Sequence, residues 1–113
     1  MAQFLLSVWH DDEYDLDFST EEAKRRVAAV GRFNAELEAA GALAFACGLH
    51  PASTATVARP GGAAVDEGPY AGIAPQIGGF WVIEADDRES ALEWARRAAA
   101  AGGYSIEVRQ LAG

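Results

Sequence analysis

Twice in this chain a strand-like run leads into a capped amphipathic helix and out into another strand-like run. That order constrains the fold more than any single motif. In the first unit, Phe4, Leu5, Leu6, Ser7, Val8 and Trp9 read as a buried strand. Ser19 and Glu22 have the spacing of a capping box. Behind them Ala23, Val27, Val30, Phe33 or Asn34, and Leu37 fall on one helical face, and Gly41 supplies a stop, which predicts a helix over about residues 20–40. Residues 42–49 alternate large (Leu43, Phe45, Cys47, Leu49) with small and end at Pro51, as a second strand would. The second unit repeats the order. Residues 77–85, centred on Phe80, Trp81, Val82 and Ile83, form the most strongly marked strand. Asp86 or Asp87 caps a helix whose apolar side is Ala91, Leu92, Trp94, Ala95 and Ala98. Gly102 and Gly103 end it, and residues 104–109 alternate as a last strand.

Between the units, residues 54–59 and 63–65 flank the turn Pro60-Gly61-Gly62 and predict a β-hairpin. Residues 68–75 read as loop. Two strand–helix–strand units side by side give an antiparallel sheet with both helices on one face, the ferredoxin-like α+β arrangement. With 113 residues and no linker, the expectation is one domain over 1–113. Both helices on one face leave the other face bare, yet the first and fourth main strands still carry apolar side chains there. A bare apolar face predicts a homodimer with two sheets face to face. Ser105, Glu107 and Arg109 are expected on that face, with Ser7 and Trp9 on the corresponding side of the first strand.

The net charge of -8, from 17 acidic and 9 basic residues, argues against nucleic acid and against an anionic membrane surface as partners. One cysteine, Cys47, excludes an intrachain disulfide, and its apolar surroundings predict a buried, unreactive thiol. No apolar run reaches the length of a membrane span, and Met1-Ala2-Gln3-Phe4 lacks the basic start of a signal peptide. The expected location is the cytoplasm.

Few residues advertise chemistry. His10 ends the first strand between Trp9 and the carboxylates Asp11 and Asp12, where it reads either as a general base or as a solvated residue of an acidic loop that continues through Glu13, Asp15 and Asp17. Asp66 and Glu67 precede Gly68-Pro69, which would hold the acid in place beside Tyr70, where it reads as a base, a ligand contact or plain turn chemistry. Trp9 and Trp81 suit core, interface or stacking on a planar ligand. Arg109 either pairs with Glu107, the favoured reading, or holds a ligand carboxylate. Two histidines, His10 and His50, without further ligand spacing give little support to a metal site. No phosphate loop, nucleophile elbow or cofactor motif is present, so no cofactor is expected.

The same segments, in the same order, resemble the YCII-related family, also called the DGPF-domain family. The resemblance is carried by residues 4–9, 37–43, 48–57, Glu67-Gly68-Pro69-Tyr70, 76–84, Asp86-Asp87, 91–95 and 106–109, and so spans nearly the whole chain. It implies a dimeric α/β barrel of ferredoxin-like protomers with a small-molecule pocket between sheet and loops. The wider fold includes muconolactone-isomerase-like enzymes and cofactor-free monooxygenases, and the broader family has been linked to a His–Asp pair. A cofactor-free acid/base step by His10 with Asp66 or Glu67 follows from the resemblance, with Trp9, Tyr70, Trp81 and Arg109 as ligand contacts. Some members sit beside or are fused to alternative sigma factors, which implies the competing reading of a regulatory or protein-interaction module. Two departures stand out. The signature Asp-Gly-Pro-Phe appears here as Glu67-Gly68-Pro69-Tyr70 preceded by Asp66, and the charged residues common after it are replaced by Ala71-Gly72-Ile73-Ala74-Pro75.

Overall fold

A computed structural model of the chain describes residues 1–10, 19–62 and 64–113. Its elements run β1 (Ala2–His10), α1 (Glu21–Ala39), β2 (Leu43–Gly48), β3 (Thr56–Ala58), β4 (Val65–Glu67), β5 (Gln76–Ala85), α2 (Arg88–Gly102) and β6 (Ser105–Gln110). The main sheet has the order β2-β5-β1-β6 with every neighbouring pair antiparallel. Each strand of one strand–helix–strand unit is thus separated by a strand of the other, which is the ferredoxin-like interleaving the sequence predicts. β3 and β4 form a separate two-stranded hairpin.

Alternation along the strands sorts side chains onto two faces. Phe4, Leu6, Trp81 and Ile83 are buried against the helices, with Val8, Leu43, Ala46, Ile106 and Val108 packed around them. From the helices come Phe33, Leu37, Ala91, Ala95 and Ala98. The alanines let α2 lie close to the sheet, while Phe33 fills the space between helices, its ring edge-on to Trp81 at 5.3 Å and to Trp94 at 6.0 Å. An ion pair between Glu36 and Arg97 joins the two helices at the surface. Full burial of Leu6, Leu37 and Ile83 contributes about 1.5–3 kcal/mol each.

The helix ends show how local sequence fixes the boundaries. Thr20, not Ser19, caps α1: its hydroxyl accepts the Ala23 amide at 3.1 Å, and Glu22 turns to Arg26 instead. The cap falls one residue later than the Ser19–Glu22 spacing suggests because Thr20 takes the extended backbone that a cap requires. At the other end Gly41 has φ +70, and the amides of Gly41 and Ala42 return to Glu38 and Leu37. Asp87 caps α2 by accepting the Ser90 amide at 2.8 Å. Gly103, at φ +77, ends that helix.

Only the second half of α1 is docked. Phe33 and Leu37 are buried, but Val27 is 53% exposed. The predicted apolar stripe is real, but its N-terminal part stands off from the sheet.

Candidate functional site

The gap under the first half of α1 is a cavity of about 310 Å³. Ala23, Val27 and Val30 roof it, and α2 closes one side through Ala98 and Gly102. Its floor is the sheet, where Gly48, Gly78 and Gly79 present backbone in place of side chains. Those glycines cluster at an irregular point of the ladder. β1 pairs Val8 with Gly79 and then Trp9 with Ile77, so Gly78 is an extra residue in β5. The raised end of α1 opens the space, and a Cβ at Gly48 would meet nothing within 4 Å.

Three polar side chains project into an otherwise apolar lining. Asn34 accepts the indole N–H of Trp81 at 2.8 Å. Arg26 donates to the Tyr104 hydroxyl at 3.2 Å and lies 5.0 Å over that ring. Tyr104 in turn meets the edge of the His10 imidazole, centroid to centroid 6.1 Å. His10 is 5% exposed, so it is a buried ring one residue behind the cavity wall. Position 34 was visible in the sequence as the polar alternative to Phe33 on the inward stripe. Arg26 and Tyr104 lie 78 positions apart, and nothing in either local pattern links them.

The structure distributes the sequence-predicted residues over three places. Trp81 lines the cavity, and His10 adjoins it. Trp9 and Arg109 lie on the open face of the sheet: the Trp9 indole donates to the buried Ser7 hydroxyl at 2.8 Å, and Arg109 pairs with Glu107 at 2.9 Å along the same strand, not across the sheet. Asp66, Glu67 and Tyr70 lie on or just after the hairpin. Asp66 and Glu67 are in β4 rather than in a loop. Asp66 pairs with Arg59 at 2.7 Å, Glu67 accepts from Thr56 at 3.4 Å, and Tyr70 packs under the Arg59 guanidinium and is 80% exposed. These carboxylates are engaged on the hairpin itself, in a different sheet from His10. The acids at 11, 12, 13, 15 and 17, including the two beside His10, lie outside the described residues.

Two further expectations change. Cys47 is exposed, not buried, because its register opposite Phe80 places it on the face the helices leave bare. The cavity described above lies on the helix-covered side, apart from the bare sheet face and the loops where the sequence reading expects a pocket. The bare face carries Phe45 against Phe80, ring centroids 5.9 Å apart, with the Glu107–Arg109 pair on the other side of β1. After β4, Gln76 pins the loop by donating to the carbonyls of Ala71 and Ile73 at 2.6 and 2.8 Å. Among the described residues no group of three His, Cys, Asp or Glu side chains is placed to hold a metal, and no helix is long and apolar enough to cross a membrane.

No curated protein matches the chain. The YCII-related domain family matches residues 4–112, and with nearly every residue covered and the interleaved sheet in place, the chain belongs to the YCII-related domain family.

Proposed function

We propose that this protein binds a small, mostly apolar molecule in the cavity between α1 and the sheet. The observation that carries the reading is the composition of that cavity: apolar walls, a volume of about 310 Å³, and three convergent polar groups from Asn34, Arg26 and Tyr104. Small-molecule sites have this character and begin at about this size. A cofactor-free acid/base step, if the bound molecule reacts, falls to His10, whose ring meets Tyr104 at the cavity wall. Asp66, Glu67 and Tyr70 enter the reading only if the hairpin reaches the ligand. A second copy of the chain covers the open face, supported by the exposed Phe45 on it.

A fragment screen followed by NMR chemical shifts tests the site. Hits are expected to move the Val8, Val30 and Ile106 methyl signals and the Trp81 indole signal. Ala23→Phe, which fills the roof, is expected to abolish those shifts. Shifts confined to the open face or the hairpin refute the assignment. Glu67→Gln tests the hairpin separately: weaker binding of the same hits brings it into the site, and unchanged binding removes it.

A further inference from the structure

We infer that the cavity takes a small carboxylate with a hydrogen-bond acceptor at its far end, the acid group on Arg26 and Tyr104 and the acceptor on Asn34. The inference rests on the reading of the cavity as a ligand site and adds the chemistry and orientation of the ligand.

The amide of Asn34 is oriented by its partner. An indole N–H only donates, so the atom it meets at 2.8 Å is the amide oxygen. The amide nitrogen therefore turns the other way with two hydrogens, which meet no acceptor among the described residues. At the opposite end, the Tyr104 oxygen accepts from Arg26, which leaves its own hydrogen to give. The guanidinium has five N–H groups, of which one meets Tyr104 and one meets Glu22 at 3.4 Å. Glu22 is 76% exposed, so its charge is screened by water and neutralises Arg26 weakly. The thiol of Cys47 lies on the bare face of the sheet, outside the cavity, and donates to the Gly48 carbonyl. Asn34, Tyr104 and Arg26 thus each keep an N–H or O–H to give, and a ligand that satisfies these donors must accept.

The two donor ends are eight positions apart on α1, roughly 12 Å along the axis. They cannot serve one functional group. Arg26 is 38% exposed and marks the mouth, whereas Asn34 sits inside against Trp81. A charged group left near water loses less hydration than one driven inward, so the acid belongs at Arg26 and the neutral acceptor at Asn34. The apolar wall between them, Val27, Val30, Val8 and Ile106, takes the body of the ligand.

Titration calorimetry of the whole chain with 4-acetylbenzoate, benzoate and acetophenone tests this, with NMR shifts confirming the location. The expected order of affinity is 4-acetylbenzoate, then benzoate, then acetophenone, with benzoate about tenfold or more tighter than acetophenone, the effect of a charge-assisted hydrogen bond. Arg26→Gln is expected to erase the preference for benzoate over acetophenone. Asn34→Asp keeps an acceptor for Trp81 but removes the donor, and is expected to erase the advantage of 4-acetylbenzoate over benzoate, about two- to tenfold. Equal binding of benzoate and acetophenone to the wild type, both moving the cavity signals, overturns the inference and leaves the ligand site standing. Failure of all three compounds to move the cavity signals overturns the inference together with the site.

Discussion

Gly79 offers a direct probe of how the cavity floor is built. A Cβ placed there lies 3.0 Å from the Cys47 carbonyl oxygen and 3.2 Å from the Gly48 Cα, both backbone atoms of the neighbouring strand. Neither can swing aside as a side-chain tip would, so Gly79→Ala must push β2 away from β5. Overpacking of this kind costs about 1–3 kcal/mol. Loss of glycine freedom in the unfolded chain offsets about 0.4–1 kcal/mol of that. The net expectation is a destabilisation of about 1–2 kcal/mol, or a fall in melting temperature of roughly 4–10 °C. Gly48, its cross-strand partner, is the control, since a Cβ there meets nothing within 4 Å. Gly48→Ala is expected to be neutral or slightly stabilising. Thermal and urea unfolding of the three proteins, with the urea slope unchanged, provides the measurement. Equal shifts for both variants would refute the claim that close strand approach makes position 79 a glycine.

Three other outcomes are expected. Leu37→Ala, at a side chain with 0% exposure, is expected to cost about 2–5 kcal/mol in urea unfolding, and a loss below 1 kcal/mol would show that the docked half of α1 is not held by that contact. The Ser90 backbone amide, then its side chain, holds the Asp87 carboxyl below its usual value of 3.8. A depressed folded-state value means that this stabilisation is present above 3.8 and is lost as pH falls through the folded-state value, so Asp87→Asn should flatten the acid limb of stability below that pH. Phe45→Asp on the open face is expected to convert a sedimenting dimer into monomers with the fold intact by circular dichroism, and a wild type that is monomeric at micromolar concentration would sink the assembly.

The interleaved sheet was legible because period-two and period-3.6 patterns are strong in residues 77–85 and 20–40, and because Gly41 and Gly103 stand where left-handed backbone ends the helices. The cavity was not legible, because the raised start of α1 that opens it and the glycines of its floor leave no periodic signal. Cys47 was misplaced because a register shift between Leu43 and Phe45 breaks the alternation: Leu43 and Ala46 pack against the core, while Phe45 and Cys47 pair with Val82 and Phe80 on the bare face. The returning hairpin strand, expected over 63–65, is Val65–Glu67, because a three-residue strand running into Gly68 is too short for alternation to fix its bounds. The polar set of β6 was read correctly, since Ile106 and Val108 leave Ser105, Glu107 and Arg109 only the opposite face.

The hairpin shares no ladder with the main sheet, and its own three pairs, Thr56 with Glu67, Val57 with Asp66 and Ala58 with Val65, are nearly all at the surface. A residue inserted at its tip, or a turn removed from it, leaves every cross-strand partner of β1, β2, β5 and β6 where it was. Core and hairpin therefore answer to separate constraints. The register of the four-stranded sheet tolerates no slip without turning its apolar set to water, whereas the hairpin can change length, charge and reach at little structural cost. Whatever role the Asp66–Glu67 pair has, it is carried on the part of the molecule most open to revision.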